Sequence, residues 1–254
     1  MKYLSDILNW LLTNRFALKF AERHPKLYKV ISDRLSLRDF LGFPLTMILL
    51  ISISSILTFN ELAEQFENSE SLLTLDANLA KYAFESRVDW LAIFFFYFTK
   101  LASFPYVISL ALIAIAIAVY LKKYIYIISI LITLIGTGAT IIIGKNYFER
   151  IRPVDYSYYQ EYSYSFPSGH SMAAVAFFGM IFYLIIRNNL SHKTFWFVAG
   201  IIFILLIGFS RIYLGVHFLT DVLAGYVSGL LWLLLGISII EWYKIKSKRK
   251  LNKQ

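Results

Sequence analysis

Long apolar runs broken by short polar clusters organise this chain, and the run lengths carry the first structural signal. Residues 41–59 form a run of about twenty apolar and small residues, the length an α-helix needs to cross roughly 30 Å of hydrocarbon. The same argument predicts further spans at 105–121, 124–144, 170–186, 195–211 and 217–240. Residues 90–121 are the difficult stretch, because Lys100 and Pro105 interrupt thirty-two mostly apolar positions. Two spans there would each have only fifteen or sixteen residues, below the usual minimum of about seventeen. Residues 90–104 are therefore expected to be an interfacial or re-entrant piece, and 105–121 the second span. Between them and the first span, residues 60–89 hold seven acidic and two basic side chains, a polar loop expected to contain a helix. The predicted fold class is all-α, a polytopic membrane protein with six transmembrane helices.

The charge pattern orients these spans. The first forty residues carry eight Lys or Arg, include an amphipathic stretch (Leu8, Leu11, Leu12, Phe16, Leu18) and lack a signal-peptide cleavage pattern. Residues 1–40 read as a cytoplasmic, interfacial lead-in, 41–240 as the membrane domain with an external loop at 60–104, and 241–254 as a basic cytoplasmic tail. With six spans, eighteen of the 25 Lys and Arg fall on the side of the termini, as positive-inside bias requires. Splitting 90–121 into two spans would reverse this and put the tail outside. The expected location is a cell membrane, with both termini cytoplasmic.

Composition agrees: the chain is 58% hydrophobic, with a mean hydropathy of +0.62 and only 16% charged residues. It has no cysteine, which excludes disulfides, thiolate metal sites and a cysteine nucleophile. The net charge of +9 is concentrated near the termini beside apolar spans, where anionic headgroups are the nearer partner, and no nucleic-acid recognition module accompanies it. The expected partners are the bilayer and a membrane lipid, with no nucleic acid; oligomeric state is not encoded.

Three short motifs carry candidate chemistry. Lys145 and Arg152-Pro153 follow the third span; ordinary snorkelling at a helix end is the alternative reading. Pro167-Ser168-Gly169-His170 opens the fourth span, where a helix N-terminus offers free N–H groups, a hydroxyl and the positive dipole end to a phosphate; a capped helix with a chance histidine is the alternative. Ser210-Arg211 precedes His217, and Asp221 follows four residues later. On a helix, His217 and Asp221 share a face, so the carboxylate can hold one imidazole nitrogen while the other meets substrate; a satisfied structural pair is the alternative. The span assignment puts all three motifs at the external ends of spans three to six. Three cations, a helix N-terminus and two histidines at one depth suit a highly charged anion undergoing displacement.

K-x6-R-P, P-S-G-H and S-R-x5-H-x3-D, in this order over residues 145–221, resemble the signature of the type 2 phosphatidic acid phosphatase (PAP2) superfamily, with every signature position matched. The resemblance implies a phosphatase that needs no metal or other cofactor. In it Lys145, Arg152 and Arg211 hold the phosphoryl oxygens with help from Ser168 and the Gly169 backbone. It further implies His217 as nucleophile forming a phosphohistidine, Asp221 orienting it, and His170 protonating the leaving oxygen. The expected substrate is a lipid phosphate or diphosphate of the phosphatidic acid, phosphatidylglycerol phosphate or undecaprenyl diphosphate class. A phosphotransferase of the same superfamily and a silent lipid-binding or transport protein are the competing readings; the spans count against a vanadate-dependent haloperoxidase. Arg150 lies outside the signature and is left as a substrate or headgroup contact. Five tyrosines in 156–164 read as an interfacial belt or as a wall beside the lipid route.

Overall fold

The computed structural model describes residues 2–37, 40–188 and 191–251; residues 1 and 38–39 of the lead-in, 189–190, and 252–254 of the basic tail lie outside the described residues. Twelve α-helices follow one another with no strand among the described residues: α1 (Lys2–Thr13), α2 (Arg15–Arg23), α3 (Pro25–Leu35), α4 (Phe43–Asn68), α5 (Glu70–Glu85), α6 (Asp89–Thr99), α7 (Phe104–Tyr120), α8 (Tyr124–Phe148), α9 (Gly169–Ala173), α10 (Gly179–Asn188), α11 (Lys193–Tyr213) and α12 (Leu219–Leu251). A π-helical turn, Ala174–Phe178, joins α9 to α10 into one helical segment. Contacts divide the chain into two compact units, residues 1–53 with 241–254, and residues 54–240.

In the first unit, local chemistry sets the short helices. Asn14 caps α2 by accepting the N–H groups of Phe16 and Ala17 (3.0 and 2.9 Å), and Pro25 opens α3, where its missing N–H costs nothing. Leu8 is buried while Tyr3, Trp10 and Phe16 stand exposed.

In the second unit, five helical segments are long and apolar enough to cross a bilayer, two of them continuing into the first unit: Phe43–Gln65, Tyr124–Phe148, Gly169–Asn188, Lys193–Tyr213 and Leu219–Ser247. The chain is a multi-pass membrane protein. The difficult stretch resolves into α6 and α7, bent by 49° about a 3-10 turn at Lys100–Ala102, and the pair counts as a sixth crossing when taken as one span. Pro105 lies in the first turn of α7, so it starts this helix rather than kinking it. Lys100 turns its ammonium over the rings of Phe96 and Tyr97 (4.3 and 4.9 Å), which shields the charge beside an apolar helix. The expected helix in the polar loop is α5, capped by Ser69.

Helix ends depart from the expected spans. α4 and α12 run well past Phe59 and Ile240, and α8 ends at Phe148 rather than Gly144. Hydropathy marks where hydrocarbon ends, whereas backbone hydrogen bonding continues through good helix formers such as the Glu and Leu of 61–65 and the lysines of 244–250.

Val107 and Ala111 of α7, Tyr126 and Ile130 of α8, Phe177, Met180 of α10 and Ile240 of α12 form the main core. Glycines set its closest approaches. A Cβ on Gly229 would lie 2.5 Å from the Met172 carbonyl oxygen, and one on Gly225 2.6 Å from that of Ser168, so α12 lies backbone to backbone against the start of α9. On the other side, a Cβ on Gly144 would lie 2.8 Å from Pro167 Cδ. The P-S-G-H segment is thereby clamped between the end of α8 and the first turns of α12.

Candidate active site

Each sequence-predicted site residue sits at a helix end or in the loops joining those ends. Lys145 occupies the last turn of α8, which Glu149 closes in a left-handed conformation (φ 46°), its N–H bonded to the Lys145 carbonyl at 3.1 Å. Arg211 lies in the last turn of α11. Beyond it Gly215 takes φ +66°, its N–H reaching Ile212 O (2.9 Å), while the Val216 N–H reaches Arg211 O (3.1 Å). These two bonds form a Schellman motif, and a buried Val216 locks it. The motif turns the chain so that His217 enters the site.

His217 itself precedes α12 and does not lie on a helix, contrary to the shared helical face expected for it and Asp221. The pair still forms because Asp221, in the first turn of α12, folds back over the turn. Its Oδ2 accepts the Phe218 N–H (2.8 Å) and lies 3.4 Å from His217 Nδ1. Both residues are buried. On the other side of the ring, Arg152 Nη1 stands 3.0 Å from Nε2. A guanidinium can only donate, so Nε2 carries the lone pair and the proton sits on Nδ1, facing Asp221. Burial, then Arg152 and Arg211, push the His217 pKa well below its ordinary value, which keeps the ring neutral.

The cations converge as expected, through partners the sequence did not reveal. Arg152 donates to the carbonyls of Ser163 (2.6 Å) and Val216 (2.6 Å), and Lys145 Nζ to Ser163 Oγ (3.0 Å). Glu161 lies between two guanidiniums, with Oε2 2.7 Å from Arg152 Nη2 and Oε1 on Arg211 Nη2. Burial pushes the Glu161 pKa up, but Arg211 and Arg152 outweigh it and hold the carboxyl well below the usual range. Arg211 is fully buried, donates to Tyr159 OH (2.5 Å), and leaves its Nε without a partner. Tyr159 thus turns into the site, whereas Tyr162 of the same stretch is 95% exposed.

Ser168 is the N-cap of α9 but makes no side-chain cap; its Oγ accepts from Ser171 Oγ (3.0 Å), and its N–H bonds the Asp221 carbonyl (3.0 Å). Arg150 makes no contact with the cavity. It bridges Asp221 Oδ1 (2.6 Å) and Asp76 Oδ2 of α5 (2.8 Å) and also donates to Thr220 Oγ1 (2.7 Å), all buried. Asp76 and Thr220 gave no sequence signal; a lone acidic residue in a polar loop is indistinguishable from solvated charge until α5 is placed.

A cavity of about 370 Å³ joins these groups to the lipid-facing helices. Lys145, Arg152, Glu161, His170 and His217 line its polar end, and the rest is walled by α7, α8 and the α9–π segment. Gly169 lines it beside His170, while Ser168, Arg211 and Asp221 lie behind that surface. Among the described residues, no group of three or more His, Asp or Glu side chains is placed to hold a metal ion.

Comparison with known proteins places this arrangement. Residues 123–245 match the family model described as the PAP2 superfamily. The chain is 42% identical over 110 residues to phosphatidylglycerophosphatase B of Bacillus subtilis, and 32% identical over 111 residues to an undecaprenyl-diphosphatase of Sulfolobus acidocaldarius. These alignments cover 42% and 44% of this chain and 53% and 47% of the relatives, so the chain spans about half the length of each. Its fold is similar to the crystal structure of a transmembrane PAP2-type phosphatidylglycerolphosphate phosphatase from Bacillus subtilis, with a TM-score of 0.67 and 30% identity over 74% of this chain and 94% of that one. The crystal structure of Aquifex aeolicus LpxE shares the fold, with a TM-score of 0.52 and 22% identity over 65% of this chain and 95% of that one. The motifs, the helical architecture and the near-complete coverage of that Bacillus subtilis structure together establish that the chain belongs to the PAP2 superfamily.

Proposed function

We propose that this protein is a lipid phosphate phosphatase, hydrolysing a lipid phosphate or diphosphate at the outer face of the membrane through a phosphohistidine on His217. The observation that carries the reading is the placement of His217, with Nδ1–H toward Asp221 and the Nε2 lone pair beside Arg152, at the polar end of a cavity whose remaining walls are apolar. Relatives named as phosphatidylglycerophosphatase and undecaprenyl-diphosphatase support the lipid class.

The phosphoryl group takes the position between Arg152 and Arg211 that the Glu161 carboxylate fills in this structure, with Lys145 and the α9 N–H groups as further donors. His217 Nε2 attacks phosphorus as the bond to the lipid oxygen breaks, and His170 gives that oxygen its proton. The ring becomes cationic, and Asp221 stabilises it through Nδ1–H. Water then attacks the phosphohistidine, losing its proton to His170, and inorganic phosphate leaves. Nothing in these steps calls for a metal.

The outer-face assignment rests on charge bias together with helix polarity: Lys123 Nζ bonds Asn188 (2.6 Å) at the ends of α8 and α10 opposite the site.

Purified protein in detergent, supplied with phosphatidic acid, phosphatidylglycerol phosphate or undecaprenyl diphosphate in the presence of EDTA, is expected to release phosphate from at least one. Release from none contradicts the phosphatase reading. Release that EDTA abolishes contradicts metal independence, and transfer to an added alcohol in preference to water favours the phosphotransferase alternative.

A further inference from the structure

Asp76 is a buried carboxylate for which the proposed steps have no task. It lies in α5, within the polar loop, yet is only 2% exposed, whereas Glu70 and Glu85 of the same helix face outward. Burying a carboxylate is costly unless charge and hydrogen bonds compensate it. Here Oδ2 accepts from Arg150 Nη2 (2.8 Å) and from the Thr220 hydroxyl, and Oδ1 accepts the Thr220 N–H at 3.2 Å. That N–H belongs to the first turn of α12, where no carbonyl of the same helix can reach it. Asp76 therefore caps α12 from another helix, one residue before Asp221.

Arg150 couples this contact to the nucleophile. It gives Nη2 to Asp76 and Nη1 to Asp221 (2.6 Å), so one guanidinium charge is shared between two carboxylates. The three side chains keep one negative charge in excess, and Asp221 Oδ2 presents it to His217 Nδ1 at 3.4 Å. With Asp76 uncharged, Arg150 and Asp221 would form a closed pair with no net charge. His217 has Arg152 on its other side, 3.0 Å from Nε2, so a positive charge on the ring is disfavoured unless excess negative charge faces it.

Resting on the phosphohistidine reading, we propose that Asp76 is a positioning residue for catalysis, which draws on Arg150 and so keeps Asp221 negative toward the cationic ring of the intermediate. It acts through Arg150 and Asp221 and touches no substrate.

The test compares the wild type with Asp76→Asn and with Asp76→Asn combined with Arg150→Gln, in detergent, on whichever of the three lipids the wild type hydrolyses. A melting curve is recorded for each variant. Asp76→Asn is expected to lower kcat by about tenfold or more and to leave KM within about twofold. The double variant restores the wild-type net charge while losing more hydrogen bonds, and its kcat is expected to exceed that of Asp76→Asn by about threefold or more. A purely structural role predicts the opposite order. Wild-type kcat in Asp76→Asn, or a double variant no faster than the single one, overturns the proposal and leaves the phosphatase reading intact. If Asp76→Asn does not fold, the double variant is still expected to fold and to turn over within about tenfold of the wild type, and its failure to do so overturns the proposal. Absence of phosphate release from every lipid by the wild type removes the phosphatase reading itself.

Discussion

At His217 the surroundings decide both the tautomer and the charge. Arg152 can only donate to Nε2, so the proton is held on Nδ1 toward Asp221, and burial with two guanidiniums disfavours the imidazolium. In the proposed mechanism the neutral ring is the nucleophile, so turnover would be complete above its pKa in the folded protein and lost as pH falls through that value. Because that pKa is depressed, the acidic limb of kcat/KM for a soluble phosphate ester is expected well below the ordinary 6.5, and a limb at or above 6.5 would contradict the placement. Arg150 works at the same scale: it neutralises Asp221 and Asp76 together, both out of water. Arg150→Met leaves two buried carboxylates uncompensated and should destabilise the protein by about 3–5 kcal/mol, read as a lower melting temperature in detergent, with turnover falling in step. A melting curve unchanged by this substitution would contradict the triad. The signature residues were legible because their spacing is a pattern; the roles of Arg150, Glu161 and Asp76 were not, since each depends on at least one partner fifty or more positions away, such as Arg211 for Glu161 and Arg150 for Asp76.

Among the elements, the site depends on how closely α12 approaches α9. Gly225 and Gly229 face the carbonyls of Ser168 and Met172 on successive turns, so any side chain there drives the two helices apart. Gly229→Ala would put its methyl 2.5 Å from a backbone oxygen, and a destabilisation of about 1–3 kcal/mol with loss of activity is expected in a thermal melt and a phosphate-release assay. Wild-type behaviour of this variant would show that the contact is loose. Five of the six expected spans have counterparts among the long apolar helices, because a backbone in lipid must satisfy its own hydrogen bonds and so forms helices wherever the run is long enough. What run length could not give was the bend between α6 and α7, or the turn that carries His217. The first depends on Pro105 starting a new helix, and the second on the left-handed Gly215, local events that hydropathy averages away.

At the scale of the whole molecule, a site at the outer face puts the polar end of the cavity and the Lys122–Lys123 turn on opposite sides of the membrane. The absence of native cysteine makes this directly readable. In intact cells a membrane-impermeant maleimide is expected to label Tyr162→Cys, in the loop beside the site, and to label Lys122→Cys, between α7 and α8, only after permeabilisation. The reverse pattern would invert the topology. The helical membrane scaffold and its place in the PAP2 superfamily stand on sequence and structure together, whereas the chemistry converges on one nitrogen atom. The most direct measurement is therefore to quench the enzyme during turnover of a lipid carrying labelled phosphate and to look for an acid-labile, alkali-stable adduct. Label on His217 in the wild type, with no adduct and turnover reduced by about 10⁴-fold or more in His217→Ala, is the expected result; undiminished phosphate release by His217→Ala would contradict it.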